Sequence, residues 1–284
     1  MTALPIINSD TTIDAVVEHS IIDVGLSRLL RLRLPCGLGS QHLAGRYFLA
    51  RCGAQTAAER QLDWHLYFRR ALFVAQRRTL FDKDGGEALH DLWTLILPHE
   101  HDPGREWLEQ RSEGETINLI GPVGNAFELP EPTRNLLLIA SAESWPALLP
   151  LLDPILDRGG RVTFLITDVP PTLDLEQHVL PHLPLPVELR LTHEPLRPSA
   201  ELTDALRWAD QLCAALPSTL FTLLSQLIRD HRFRLEAGFA QMLVEADYVC
   251  GVGSCLDCVV PTGRGSLTRA CIHGPAMDLS ILTR

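Results

Sequence analysis

The segment Cys250-Gly-Val-Gly-Ser-Cys255-Leu-Asp-Cys258, followed by twelve residues and then Cys271, is the most informative stretch of this chain. Its spacing, C-x4-C-x2-C…C, is that of plant-type 2Fe-2S ferredoxins. Three thiolates from one loop reach a cluster only if the backbone folds around it. Gly251 and Gly253 suit that path because glycine accepts positive φ. We therefore predict that Cys250, Cys255, Cys258 and Cys271 ligate a 2Fe-2S cluster, which moves single electrons.

Two other readings of the cysteines remain open. Structural zinc favours ligands in two C-x2-C pairs, whereas here the first spacing is four and Cys271 stands alone. A disulfide framework is typical of short secreted chains.

The turn Pro261-Thr-Gly-Arg-Gly265 is placed to reverse the chain and bring Cys271 back to the other three cysteines.

Composition bounds the class of protein. The chain has 284 residues, enough for two compact domains and a small module. Its apolar and charged contents, 46% and 21%, are those of a globular protein. The net charge of −10 argues against nucleic-acid binding, which needs clustered Lys and Arg.

The chain shows no targeting or membrane signal. The start, Met1 to Asp10, lacks the basic and apolar regions of a signal peptide. No apolar run reaches the ~18 residues of a membrane span. We therefore expect a cytoplasmic protein, where seven cysteines do not imply disulfides.

The first ~130 residues are predicted to be β-rich, from the spacing of their turn residues. Leu30, Leu32 and Leu34 alternate with Arg31 and Arg33, as in a half-buried strand. Further strands are predicted at the following ranges: 45–51, 64–75, 92–97 and 115–120. Short strands separated by Gly, Pro and Asp favour an antiparallel barrel.

From Asn135 onward the pattern is that of a parallel sheet with crossover helices. Leu136 to Ala140 is a continuous apolar run, typical of a strand buried on both faces. The remaining predicted strands cover 161–167, 186–191 and 232–236. The predicted helices cover 145–157, 199–216 and 218–230.

This order of parts resembles the electron-transfer subunit of dihydroorotate dehydrogenase B, in the ferredoxin-reductase superfamily. Gly104-Arg-Glu-Trp-Leu108 and Leu119-Ile-Gly-Pro-Val-Gly-Asn-Ala-Phe127 are similar to the G-T-E-W-L and L-x-G-P-L-G-N-G-F segments of that family. Pro146-Ala-Leu-Leu-Pro150 and Gly274-Pro275 are similar to its A-P-L-L-P and C-x-x-G-P segments. The resemblance implies three domains: an FAD-binding-type β-barrel (1–133), an α/β NAD-binding-like domain (134–245) and a cluster module (246–284).

The resemblance also implies flavin contacts. The family's R-R-P-x-S-I strand falls on Phe68 to Val74, so that Arg70 offers a fixed cation to the flavin diphosphate. Phe73 replaces the serine hydroxyl of the family. Arg105 replaces the threonine beside Gly104 and adds positive charge near the phosphates. Arg70, Gly104 and Arg105 are therefore the predicted FAD-binding residues.

The nicotinamide site is predicted to be degenerate. Where the family has a glycine-rich turn, this chain has Ala140-Ser-Ala-Glu-Ser144, without a glycine to let the backbone approach a pyrophosphate. Glu143 places a negatively charged carboxylate in the same turn. Cys213-Ala-Ala-Leu-Pro217 also lacks the glycine of the family's C-G-P segment. NAD binding is therefore not expected, and the domain is interpreted as a retained scaffold.

Two functions follow from these predictions. In the first, the chain is an electron-transfer subunit, not catalytic on substrate alone, in a hetero-oligomer. It relays electrons between FAD, the 2Fe-2S cluster and an FMN-containing dehydrogenase, as in the dihydroorotate oxidation of pyrimidine biosynthesis, or exchanges them with a carrier such as a ferredoxin. In the second, the chain is a non-enzymatic partner or scaffold protein with a structural cluster or zinc and no FAD.

Overall fold

The structure, a computed structural model, describes the following residues: 12–39, 42–53, 63–82, 86, 88–98 and 102–283. They form a closed antiparallel barrel, a six-stranded sheet with helices, and a C-terminal segment that carries the cysteines. This is the fold class predicted from the sequence. Among these residues, no helix is long and apolar enough to cross a membrane. The limits between the three domains stay a prediction.

The barrel closes in the strand order β1-β2-β5-β4-β3-β6. Its strands are β1 (Thr12–Val24), β2 (Ser27–Leu34), β3 (Tyr47–Ala50), β4 (Arg70–Phe81), β5 (Ala88–Ile96) and β6 (Thr116–Val123). Helix α1 (Pro103–Glu109) lies between β5 and β6 in the chain. Leu30, Leu32 and Leu34 of β2 are buried, as their alternation with arginines predicts. Inside, the ring of Phe48 meets that of Trp93 edge-on, with centroids 5.1 Å apart.

Two features of the barrel differ from the prediction. Strand β1 is not predicted from the sequence, and its pairing with β2 shifts register twice, between Val17 and His19 and between His19 and Ile22. Each shift breaks the alternation of apolar residues on which a strand prediction depends. The strand predicted from 64 begins only at Arg70, after a 3-10 turn over Trp64–Leu66.

The second sheet has the strand order β14-β11-β10-β7-β8-β9 and is parallel except for β14. Its strands are β7 (Asn135–Ser141), β8 (Arg161–Thr167), β9 (Val187–Leu191), β10 (Gln211–Ala215), β11 (Ala240–Leu243) and β14 (Ala276–Asp278). The helices are α2 (Leu152–Leu156), α3 (Leu175–Val179), α4 (Ala200–Trp208) and α5 (Phe221–Arg232). Strand β7 is buried from Leu136 to Ser141, as its continuous apolar run predicts.

Three predicted elements of this sheet domain are corrected. The helix predicted over 199–216 ends at Trp208, and Gln211–Ala215 is strand β10. The strand predicted over 232–236 is Ala240–Leu243 instead. The helix predicted over 145–157 is a 3-10 helix (Trp145–Leu151) followed by the short α2, because Pro150 lacks the N–H that a continuous α-helix requires.

The C-terminal segment packs against both of the larger parts. It contains the hairpin β12 (Val259–Pro261) and β13 (Leu267–Arg269), helix α6 (Ala270–His273) and helix α7 (Leu279–Leu282). Strand β14 pairs with β11 and so anchors the segment to the sheet. Asn125, just beyond β6, donates from its backbone N–H to the carbonyl of Gly274 at 2.7 Å and from Nδ2 to that of Ile272 at 3.1 Å. The cysteines are therefore held where barrel and sheet meet.

Candidate functional site

The four predicted ligands lie together. Cys250, Cys255 and Cys258 belong to an irregular loop after β11, and Cys271 lies in α6 directly after the β12–β13 hairpin. The hairpin returns the chain so that the N–H of Ala270 donates to the carbonyl of Cys258 at 2.9 Å. The N–H of Cys271 then points at Sγ of Cys258, 3.4 Å away. The hairpin is therefore the device that delivers the fourth cysteine.

The sulfur atoms are arranged as two pairs. Sγ of Cys255 lies 3.2 Å from Sγ of Cys250, and the thiols of Cys258 and Cys271 are in hydrogen-bonding contact. Two irons with two thiolates each match this arrangement, whereas a zinc ion needs four ligands converging on one point. Across the described part of the chain, no group of three or more His, Cys, Asp or Glu side chains is placed to hold a metal ion. The donor set fits a two-iron cluster better than zinc.

The loop takes the backbone path that its glycines predict. Gly251 and Gly253 have φ of 69° and 72°. The resulting turn directs the N–H of Val252 toward Sγ of Cys250, at 3.5 Å. A Cβ on Gly253 would lie 2.8 Å from Cγ1 of Ile272, so a larger residue there would force the loop and α6 apart. The glycines therefore bring N–H donors to sulfur and let the loop lie close to α6.

The thiols of this loop differ in acidity. Burial raises the pKa of Cys250, but hydrogen bonds from the N–H groups of Cys255 and Val252 outweigh burial and lower that pKa to about 6. Burial, with the neighbouring Cys258, raises the pKa of Cys271 to about 12. Iron binds thiolate, so loading the site displaces a proton from Cys271 at neutral pH.

Three aromatic rings connect the cysteine loop to the barrel strand predicted to contact flavin, and one of them, Phe73, belongs to that strand. Tyr47 of β3 has its ring centroid 5.4 Å from that of Phe73 and 4.8 Å from that of Tyr248, while Phe73 and Tyr248 are 5.8 Å apart. A Cβ on Gly251 would lie 3.8 Å from the Tyr47 hydroxyl and 3.0 Å from Leu49. The cysteine loop is thus in contact with β3, one ring away from Phe73.

Two of the three predicted flavin contacts come together. A Cβ on Gly104 would lie 2.5 Å from Nε of Arg70, so only glycine leaves room for this arginine beside α1. Nε of Arg70 donates to the carboxylate of Asp102 at 2.7 Å, and its other nitrogens donate to the carbonyls of Phe68 and His65. Asp102 also caps α1 by accepting from the N–H of Arg105 at 2.8 Å. The carboxylate of Asp102 therefore holds the cation predicted to bind a flavin diphosphate.

The third predicted contact, Arg105, has its charge engaged elsewhere. Its side chain is buried, and its Nε donates to Glu109 at 2.8 Å. Glu109 is also paired with Arg28, at 3.0 Å. Flavin roles for Arg70, Gly104 and Arg105 stay predictions. Asp102 is not among the predicted site residues, although Asp followed by Pro and Gly is an N-cap signal. Tyr47 is not among them either, because no local pattern distinguishes it from a core residue.

The glycine-free turn at the end of β7 is closed by hydrogen bonds of its own. The N–H of Ser144 donates to the carbonyl of Ser141 at 3.1 Å, and the hydroxyl of Ser144 donates to Glu245 at 3.3 Å. The carbonyl of Glu143 accepts from the hydroxyl of Ser27. Two acidic residues, Glu143 and Glu245, therefore belong to or contact this turn. That NAD does not bind here stays a prediction.

Comparison with known proteins confirms the cluster module. Residues 245–283 match the family model described as the iron–sulfur cluster binding domain of dihydroorotate dehydrogenase B. The match contains all four cysteines. No curated protein sequence is significantly similar to this chain.

Solved structures share the fold across almost the whole chain. A structure of NADH-dependent reduced ferredoxin-NADP oxidoreductase, concerned with flavin-based electron bifurcation, superposes with a TM-score of 0.65 at 16% identity, covering 94% of this chain and 88% of that one. Phthalate dioxygenase reductase, described as a modular structure for electron transfer from pyridine nucleotides to 2Fe-2S, gives 0.57 at 12% identity, covering 95% and 96%.

A third similar structure is the flavohem-like FAD/NAD binding domain of nitric oxide dioxygenase from Vibrio cholerae O1 biovar El Tor. It gives a TM-score of 0.54 at 12% identity, covering 81% of this chain and 97% of that one. At these identities the comparisons establish the fold, which is that of ferredoxin reductases. The resemblance inferred from the sequence is confirmed for the fold and for the cysteine module.

Proposed function

We propose that this chain is the electron-transfer subunit of an oxidoreductase complex, with FAD on the barrel and a 2Fe-2S cluster on the four cysteines. The observation that carries the proposal is the contact between the cysteine loop and β3, where the ring of Tyr47 lies against Phe73 on the predicted flavin strand. When bound, the cluster would supply one-electron transfer and the flavin two-electron transfer. The predicted flavin strand and the cysteine loop are separated by one layer of side chains, and this closeness suits an electron relay.

The protein residues have separate tasks in this proposal. Cys250, Cys255, Cys258 and Cys271 hold the two irons as two pairs. Tyr47 and Phe73 exclude water from the path between the sites, since Tyr47 is buried and Phe73 is half-buried. Arg70 supplies the cation for the flavin diphosphate, and it must exchange the carboxylate of Asp102 for that diphosphate.

The partner is proposed to be an FMN-containing dehydrogenase, as the match to the dihydroorotate dehydrogenase B module suggests. The rim of the cysteine loop supports a docked partner. Cys255 is exposed, and so are Val252 and Leu256 of the same loop and Leu267 of the following hairpin, at 47%, 59% and 72%. Apolar side chains exposed around a redox centre favour a protein partner over solvent. A hetero-oligomer, a role in pyrimidine biosynthesis and a cytoplasmic location belong to the same proposal.

The test is anaerobic purification from the native cell, followed by assays of iron, acid-labile sulfide, flavin and co-purifying proteins. We expect two irons and two sulfides per chain, an EPR signal on reduction, and an FMN protein in the same fraction. Cys271→Ala should lose the cluster, while the control Cys36→Ser, at an exposed cysteine outside the loop, should keep it. Wild-type protein without acid-labile sulfide would refute the proposal.

A second function, a scaffold protein without FAD, is favoured by two observations. Arg70 is already satisfied by Asp102, Phe68 and His65, and the turn after β7 has no glycine. A purified protein that contains zinc, lacks flavin and stays colourless would support this function. Bleaching of a flavin by NADH would instead show that the sheet domain binds nicotinamide.

A further inference from the structure

The hydroxyl group of Tyr47 is buried without a hydrogen-bond partner. The residue is 0% exposed, and its hydroxyl oxygen is one of the buried side-chain atoms that lack a partner in the described part of the chain. Buried polar groups of this kind are rare because they lose water and gain nothing in return. Such a group calls for an acceptor atom, and the described residues do not supply one.

The surroundings of the hydroxyl point to the cysteine loop. A Cβ on Gly251, the residue after Cys250, would lie 3.8 Å from the hydroxyl oxygen. Burial raises the pKa of Tyr47, and Cys271, Cys258, Cys250 and Cys255 all raise it further, so each of the four thiols lies close enough to be felt electrostatically. The orphaned donor therefore lies beside the cysteine loop, within electrostatic reach of all four thiols.

The neighbouring tyrosine provides the contrast. Tyr248 packs against Tyr47 and is also buried, but its hydroxyl donates to the carbonyl of Val244 at 2.6 Å. The two residues share the same aromatic cluster and differ in the state of the hydroxyl. The hydroxyl of Tyr248 is thus paired with a backbone carbonyl, whereas that of Tyr47 has no partner among the described residues.

We propose that the Tyr47 hydroxyl donates a hydrogen bond to a sulfur atom of the iron–sulfur cluster and so makes the cluster easier to reduce. The inference rests on the proposed cluster. Reduction adds one negative charge to the iron–sulfur unit, and a donor stabilises the more negative state more strongly. Hydrogen bonds to sulfur are among the factors that set cluster potentials. Tyr47 is therefore a tuning residue and not an iron ligand.

The test is a redox titration of the holoprotein followed by EPR, comparing wild type with Tyr47→Phe. Phenylalanine keeps the ring and removes only the oxygen. At the wild-type midpoint, we expect the ratio of reduced to oxidised cluster to fall about tenfold, a shift of ~59 mV for one electron. The matched control, Tyr248→Phe, should change this ratio by less than about twofold. An unchanged ratio in Tyr47→Phe, with iron and sulfide intact, overturns the inference.

A second measurement leaves Tyr47 in place and does not depend on how the Tyr47→Phe variant folds. The sequence has only 3 tyrosines, so the wild-type chain can be labelled throughout with 3-fluorotyrosine. Fluorine makes the hydroxyl a stronger donor, and the midpoint potential should therefore rise, opposite in sign to Tyr47→Phe. Tyr67 is exposed, and labelled Tyr248→Phe protein should show the same rise. No rise overturns the inference, whereas absence of the cluster from wild type would overturn the proposed function as well.

Discussion

Asp102→Asn should strengthen FAD binding. The carboxylate accepts from Nε of Arg70 at 2.7 Å and from the N–H of Arg105 at 2.8 Å. It is therefore already paired with the cation that is predicted to bind the flavin diphosphate. Asparagine caps helices about as well as aspartate, and α1 should therefore keep its N-terminus. What changes is one negative charge beside Arg70.

The size of the effect follows from the exposure of the pair. The side chains of Arg70 and Asp102 are 17% and 32% exposed. Charges about 4 Å apart interact by about 1 kcal/mol in water and about 4 kcal/mol near a protein surface. A partly screened carboxylate competing for Arg70 should therefore cost about 1.4–2.8 kcal/mol, which is about 10–100-fold in Kd.

The assay is titration of flavin-free protein with FAD, followed by quenching of flavin fluorescence. Glu106→Gln is the matched control, because this exposed acid lies in the same first helical turn and has no contact with Arg70 in the structure. The advantage of Asp102→Asn should shrink in about 1 M salt, where the Debye length is about 3 Å. It should vanish in an Arg70→Ala background. Equal Kd values for wild type and Asp102→Asn, at equal melting temperatures, would refute the reasoning.

Three further predictions concern the same sites. Gly104→Ala places a Cβ 2.5 Å from Nε of Arg70 and should therefore weaken FAD binding about tenfold. The same titration measures this effect, and an unchanged Kd for FAD would contradict the prediction. In cluster-free protein, alkylation of Cys250 should rise through pH 6, since its pKa is about 6, whereas Cys271, with a pKa of about 12, should stay unreactive at neutral pH; peptide mapping that finds the reverse order would contradict this. Tyr248→Phe leaves the buried carbonyl of Val244 without its donor and should lower the free energy of unfolding by about 1–3 kcal/mol in urea denaturation, which an unaltered midpoint would disprove.

Local sequence signals predicted the regular parts of the fold because those parts obey local rules. The alternation in β2 and the apolar run of β7 report which faces are buried, and both strands formed as predicted. Strand β10, Gln211-Leu-Cys-Ala-Ala215, failed this test. It is buried on both faces and contains Leu and two Ala but no β-branched or aromatic residue, so its pattern does not distinguish a buried strand from a helix.

The sequence by itself determined the cluster module. The spacing of Cys250, Cys255 and Cys258, with glycines between them, is a property of nine consecutive residues, and the hairpin that delivers Cys271 is equally local. The missing glycines of the nicotinamide turn could also be read directly.

Only the tertiary structure decided which distant residues contact the predicted flavin-binding residues and the cysteine loop. Asp102 meets Arg70 across 32 residues, and Tyr47 of the barrel meets a cysteine loop some two hundred residues later in the chain. Neither contact leaves a pattern in the sequence, because each depends on how separate strands pack and not on the spacing of neighbours. A charge partner and an unpaired hydroxyl are properties of a packed interior, which exists only once the barrel, the sheet and the cysteine loop have come together.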